Sequence, residues 1–332
     1  YESLVFARPK LYDLLHSRVP AHKIFHSKKV VHTEEEHGQV HIYCSDDTHY
    51  EGDILVGADG AYSGVRQSLY KRLNAKGLLP KSDLKNFEFA CVNMVGVSDP
   101  QDPENTPNNQ ICWVLGMQLS KKQAREQRFG NAEWGPEAIE AMYKDFVDLP
   151  VPWGGTMGDI MEDTPKDRIS KVFIEDKVFK TWYHGQTVLI GDGAVNAMHD
   201  AVVLANCIYN MKDVSQKSIT AALKGYYKQR HHRLDAHFKR SRALTSVFGG
   251  KTWFQRATRH LVLNFVPKWV QDRDFIKSME YRPQVAWLPL VTNYGKGRVL
   301  PQEGERELLE ERRRRQRLEQ LGIPDLGLAV AL

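Results

Sequence analysis

The sequence predicts an α/β chain in which a nucleotide-type α/β domain is interrupted by a β-rich insertion and then resumed into helices. Three observations predict it. ILVGA at 54–58 is continuously apolar, as a strand covered on both faces is, and it runs into Asp59-Gly60 and a helix. VLIG at 188–191 repeats that arrangement, running into Asp192-Gly193 and a second helix. Between them lies a block with alternating strand patterns and a Pro/Asn/Asp loop, DPQDPENTPNN. With 332 residues, 42% of them hydrophobic, the chain can build one large or two ordinary domains.

The elements follow in order. RPKLYDLLHSRV places Leu11, Leu14, Leu15 and Val19 on one helical face, with Pro9 in a first turn where its missing N–H costs nothing. KKVVHTEEE and QVHIYCS read as strands, the second alternating Val40, Ile42 and Cys44, and Asp46-Asp47 turns the chain into THYEGDILVGADG. Ser63 is the expected N-cap of a helix that buries Val65, Leu69 and Leu73, and Gly77 with Pro80 stops it.

In the middle block, the alternation of Phe89, Cys91, Asn93 and Val95 predicts a strand, and QICWVLGMQ a second. GPEAIEAMYKDF reads as a helix with Ile139, Met142, Tyr143 and Phe146 as its stripe. KVFIEDKVF and TWYHGQTVLIGD return to strand, and the chain is mostly helical from Gly193 on.

Composition excludes several function classes. The net charge of +5 is mild, although residues 221–260 carry ten Lys or Arg against Asp235 alone, which reads as a solvated basic helix. Residues 301–320 hold six Arg and six Glu, so EERRRRQR is a salt-bridged helix and no nucleic-acid partner is expected. Cys44, Cys91, Cys112 and Cys207 form no CxxC pair and read as reduced thiols, which places the protein in the cytoplasm.

No apolar run reaches bilayer length, so no transmembrane segment is expected. His231, His232 and His237 lack the spacing that sets two ligands side by side on a helix, so no metal site is assigned. Arg230 interrupts the stripe Ile219, Leu223, Tyr227, Leu234, Phe238 and reads as a snorkelling edge residue. Trp113 and Trp153 could line an aromatic pocket, with core packing as the default.

Two strand ends carry the candidate site. The glycines Gly57, Gly60, Gly191 and Gly193 let backbone approach a ligand, and Asp59 and Asp192 can accept hydrogen bonds from ribose-type hydroxyls. Gly191-x-Gly193-x-x-Asn196 imitates a dinucleotide fingerprint, but Asn stands where helix–strand packing needs Gly or Ala, and no strand precedes Asp213.

ARPKLYDLL, GDILVGADGAYSGVRQSL, WYHGQTVLIGD and GAVNAMHDAVVLAN together resemble the FAD-dependent aromatic hydroxylase (group A flavoprotein monooxygenase) family, and within it fungal FAD-binding-domain proteins. The resemblance extends over most of the chain, to YRPQVAWLPL and GKGRVLPQ, and GADGAYSGVR is its most specific piece. It implies FAD as cofactor, NAD(P)H as reductant, and hydroxylation or epoxidation of a small organic substrate with O2.

By resemblance, Arg8 reaches the phosphate–ribityl region of the flavin, a role that suits its planar fork. Asp59 bears on FAD and NAD(P)H, and Arg66 supports it. Asp192 meets the ribityl hydroxyls, and Asn196 stands at a helix mouth near the pyrimidine edge. The resemblance names no catalytic base, and it leaves the oligomeric state open.

The fold it implies is an incomplete FAD-binding α/β domain, the first GxGxxG unit being absent, with an inserted β-rich substrate domain and a helical C-terminal tail. Its parts are residues 1–82 (FAD-binding, first part), 83–180 (substrate domain), 181–246 (FAD-binding, return strand and helices) and 247–332 (helical or extended tail). The chain starts at Tyr1 inside an apparent strand, Gly193 follows Asp192 without the family's longer loop, and the stretch between Gln118 and Asn131 is short.

These departures predict a truncated member with impaired FAD binding. Losing three charge-assisted hydrogen bonds, each on the order of 1.5–3 kcal/mol, takes a nanomolar site to about millimolar. The alternative expectation is a non-catalytic remnant or interaction protein from an incomplete gene product.

Overall fold

The structure is a computed structural model. It describes residues 8–85, 89–99, 110–119, 140, 143–144, 146–151, 154–175, 177–191, 193–249, 252–267, 269–270, 273, 276 and 280–289. The fold is mixed α/β. In chain order its first elements are α1 (Arg8–His16), β1 (Val30–Glu36), β2 (Gln39–Cys44), β3 (His49–Gly52), β4 (Leu55–Gly57), α2 (Gly64–Ala75) and α3 (Lys81–Leu84). Then come β5 (Phe89–Val97), β6 (Cys112–Gln118), α4 (Met157–Glu162), β7 (Ile169–Glu175), β8 (Tyr183–His184) and β9 (Thr187–Leu189). The helices α5 (Ala194–Tyr209), α6 (Gln216–Gly249) and α7 (Trp253–Phe265) follow. The chain divides into two compact units, Tyr1–Lys28 with Pro80–Lys180 and Lys29–Leu79 with Thr181–Leu332.

In the unit that holds residues 29–79 and 181–332, β1, β2 and β3 form an antiparallel meander. Its turns use His37-Gly38 and Asp47 at positive φ, the second at the predicted Asp-Asp step. A second sheet has the order β4-β9-β8, in which β4 and β9 run parallel. TWYHGQTVLIGD, expected as strand, doubles back at Gly185 (φ 60°) into the β8–β9 hairpin.

Glycine is required at that turn, because a Cβ would collide with the Glu35 carboxylate. Glu35 in turn accepts from Thr187 Oγ1 at 2.7 Å and pairs with Arg72 at 3.3 Å, which ties β1 to β9 and α2. Ser63 caps α2 as predicted, accepting from Arg66 N, and Val65, Leu69 and Leu73 are buried. The helix stops at Gly77, where the Leu78 N–H returns to Leu73 O at 2.9 Å.

In the other unit, β6-β5-β7 form an antiparallel sheet against α4. Its core is Val92, Met94, Trp113, Leu119, Met157, Ile160 and Met161. The buried face of β5 is therefore opposite in phase to the expected one: Val92 and Met94 are inside, while Cys91, Asn93 and Val95 are only half-buried. Apolar residues of both parities made the alternation ambiguous, and Trp113 settles it by lying on Gly96, the small residue in phase with Met94.

Trp113 is a core residue, its Nε1 donating to Thr164 Oγ1 at 3.0 Å. Helix α1 forms, but Leu14, Leu15 and Val19 are exposed. Most of GPEAIEAMYKDF, together with Trp153, the 118–131 stretch beyond Leu119 and the EERRRRQR tail, lies outside the described residues. A Gly96→Val change would drive side-chain atoms into Trp113, and we expect it to cost about 1–3 kcal/mol, read as a lower urea midpoint.

Candidate functional site

Strands β4 and β9 pair in register, Leu55 with Thr187, Val56 with Val188 and Gly57 with Leu189. Ile190 N donates to Gly57 O at 3.0 Å and continues the ladder to the strand ends. The Asp59 turn and Gly191 thus follow the carboxyl ends of one parallel pair, where α/β sheets receive ligands. The pairing needs close packing at Gly57, since a Cβ there would meet Leu189 and Val65. Of the residues singled out in the sequence, the structure brings together Gly57, Asp59, Gly60 and Arg66 on one turn, and Gly191, Gly193 and Asn196 on its neighbour. Arg8 is the first residue of α1, in the other unit. Asp192 lies outside the described residues.

The first turn is held by its own side chains. Asp59 Oδ1 accepts from the Ser63 hydroxyl and Oδ2 from Val65 N at 3.2 Å, so the carboxylate sits against the positive end of α2. Ser63 Oγ accepts from Arg66 N at 2.9 Å. The Arg66 guanidinium reaches back to Gly60 O at 3.1 Å and to Ala61 O, closing the loop over Gly60, whose φ is 74°. Asp59 remains exposed, and each oxygen keeps a lone pair for a ligand hydroxyl.

The second turn is held from below by groups that sequence reasoning missed. Gly191 N donates at 2.6 Å to Asp200 Oδ2, a carboxylate with no solvent exposure. Asp200 Oδ1 accepts from Arg230 Nε at 2.5 Å, and Arg230 is only 2% exposed. The reading of Arg230 as a snorkelling edge residue is thereby corrected: a buried acid on the next helix gives its charge a partner inside. Tyr226, fully buried one turn earlier on α6, donates to Leu189 O at 3.1 Å. Burial first, and the Asp200 charge second, push its phenol up.

A signal for this network was present. Asp200 is in phase with buried Val203 and Leu204, and Arg230 with buried Ile219, Leu223 and Tyr226, so opposite charges sat in the apolar stripes of consecutive helices.

Above that base, Gly193 (φ 97°) is the N-cap residue of α5, and Ala194 and Val195 are exposed. Among the described residues, a Cβ on Gly193 would meet nothing within 4 Å. Asn196 is half-buried in the first turn. The arrangement offers first-turn N–H groups and a polar amide beside the Asp59 turn, a donor set suited to an anionic or carbonyl-rich ligand edge.

The far end of α5 is strapped by an extended segment: Asn206 donates to Gln284 O at 2.9 Å and accepts from Ala286 N at 2.8 Å, and Tyr209 stacks on Trp287 at 4.4 Å. Tyr281 sits against His199 and lies 4.0 Å from the Arg233 guanidinium carbon.

No protein-family model matches the chain. It is 26% identical to the FAD-dependent monooxygenase esdpE of Penicillium shearii over 292 residues, covering 76% of this chain and 60% of that one. It is 27% identical to the FAD-dependent monooxygenase ausM of Aspergillus calidoustus, covering 88% of this chain and 67% of that one. The chain thus spans about three fifths to two thirds of these relatives.

Its fold is that of Klebsiella pneumoniae HpxO, solved with FAD and uric acid (TM-score 0.60, 18% identity, 82% of this chain and 71% of that one). It is also that of a salicylate hydroxylase solved with substrate (TM-score 0.52, 18% identity, 82% and 72%). The resemblance read from the sequence therefore holds: the chain is similar to fungal FAD-dependent monooxygenases and shares the fold of FAD-dependent hydroxylases.

Two outcomes follow from the buried network. Asp200→Ala leaves the Arg230 charge and the Gly191 N–H unpaired and is expected to cost about 3–5 kcal/mol in urea unfolding, while Asp200→Leu with Arg230→Met recovers most of that loss. His199 is held below its ordinary value by burial and then by Arg230, and His237 by burial and then by Arg240. The unfolded chain therefore takes these protons first, so stability falls as pH drops below about 6.5. Urea midpoints at neutral and mildly acidic pH check this, and His199→Asn is expected to flatten the decline.

Proposed function

We propose that the chain binds FAD along the paired ends of β4 and β9 and serves an NAD(P)H-dependent monooxygenase reaction, hydroxylating or epoxidising a small organic substrate with O2. The observation that supports this reading is the parallel register that ends at Gly57 and Leu189, the strand ends that precede Asp59 and Asp192 in sequence. FAD, when bound, supplies the redox and oxygen chemistry. In this reading Asp59 and Asp192 receive ribose and ribityl hydroxyls, and Gly57, Gly60, Gly191 and Gly193 allow close backbone approach. Arg66 fixes the first turn. The α5 mouth with Asn196 favours negative charge at the ring edge, and Arg8 pairs phosphate.

In this proposal residues 1–82 and 181–246 belong to the FAD-binding domain. Residues 83–180 form an inserted β-rich substrate domain, and 247–332 a helical tail. The protein works in the cytoplasm without a nucleic-acid partner.

Affinity for FAD is expected to be low. β9 ends at Leu189 and α5 begins at Ala194, so only four residues, 190–193, are available to wall the cofactor. That short connection also favours the second reading, a non-catalytic remnant or interaction protein.

Flavin absorbance after gel filtration, followed by FAD titration and NAD(P)H oxidation, separates the readings. We expect flavin well below one per chain, restored by added FAD with a Kd of about micromolar or weaker and lost in Gly193→Val. Flavin near one per chain after gel filtration contradicts low affinity. No binding at millimolar FAD leaves the remnant.

A further inference from the structure

We propose that α7 is a membrane-surface helix that lays its aromatic stripe into the interface of an anionic bilayer. The inference is independent of the flavin reading. Trp253, Phe254, Ala257, Leu261 and Phe265 fall within an arc of about 120° on the helix. All five are exposed, with Trp253 at 75% and Phe265 at 71%. The opposite face, Gln255, Arg259 and Val262, is half-buried, and α7 packs along α6. The apolar stripe therefore points away from its own unit. An isolated exposed apolar residue needs no explanation, but a mainly apolar stripe, with two large aromatics at its start and Asn264 as its polar member, does.

Charge selects the occupant. Residues 253–270 contain Arg256, Arg259 and Lys268 and no Asp or Glu. Exposed Arg256 and His260 border the stripe. The preceding stretch 221–252 adds Lys224, Lys228, Arg233, Lys239, Arg240, Arg242 and Lys251 against Asp235 alone, leaving aside the buried Arg230, an excess that repels a second copy and attracts anionic headgroups. Trp and Phe on one face with Arg beside them is the composition of helices that lie in the headgroup–acyl boundary. At 13 residues, or about 20 Å, α7 is too short to span a bilayer and lies in its plane.

The test is co-sedimentation of the full chain with phosphatidylcholine vesicles and with vesicles containing about 30% phosphatidylserine. We expect at least about tenfold stronger binding to the anionic vesicles, weakened several-fold by high salt. Trp253→Gln with Phe254→Gln and Phe265→Gln is expected to reduce binding by about tenfold or more while circular dichroism stays unchanged. Should that triple variant fold poorly, Arg256→Glu alone is expected to weaken binding to the anionic vesicles several-fold and leave neutral vesicles unaffected. Absence of binding to either vesicle overturns the proposal, as does a well-folded triple variant that binds like the parent. Self-association in light scattering that the triple variant abolishes overturns it as well, because the stripe then belongs to a second copy.

Discussion

The unit that carries the candidate site depends on one buried ion pair. Asp200 and Arg230 stand on consecutive helices with almost no access to water, and the cost of stripping both charges of solvent is offset only because each finds close partners. Asp200 divides its two oxygens between the Arg230 guanidinium and the Gly191 N–H, so the pair fixes the backbone where β9 turns into α5 as well as joining α5 to α6. Geometry makes this strict. A Cβ on Gly191 would lie 2.8 Å from Asp200 Oδ2, so the carboxylate reaches the amide only because that residue is glycine. Arg230 Nη2 finds no hydrogen-bond partner among the described residues, and the nearby Tyr281 ring, 5.4 Å from the guanidinium carbon, supplies part of the missing polarisation.

From that latch the site geometry follows in steps. β9 is fixed at its carboxyl end by Gly191 and along its length by Glu35, which bonds Thr187, and by Gln186, which donates to Gly38 O and Asp53 O at 2.6 Å each. β4 inherits its position from β9 through the parallel ladder, and α2 packs on β1 through the buried Thr33–Ser68 hydrogen bonds. The two turns are therefore set by a rigid frame, while Asp59 and Gly193 stay exposed.

Much of this was legible in the sequence, because local chemistry dictated it. The Ser63 cap, the Gly77 stop and the Asp46-Asp47 turn each follow from one residue type in one backbone role, whereas the apolar run 54–58, read as covered on both faces, leaves Val56 exposed. The resemblance carried by GADGAYSGVR and WYHGQTVLIGD agrees with the fold and with the fungal relatives. What was not legible depended on tertiary partners. The hairpin at Gly185 is decided by Glu35, some 150 residues earlier in the chain, and the buried face of β5 by Trp113 lying over Gly96. Arg230 read as an edge residue because its partner sits on another helix, and an isolated arginine in an apolar stripe is more often solvated than paired.

Hydrogen–deuterium exchange on the chain with and without saturating FAD tests the central claim, that two strand ends held by one buried pair form a single ligand edge. The account predicts that FAD slows exchange together in two segments, the end of β4 through the first turn of α2 and the end of β9 through the first turn of α5. Slowing in one of these segments alone, or in neither while FAD is bound elsewhere, would contradict it.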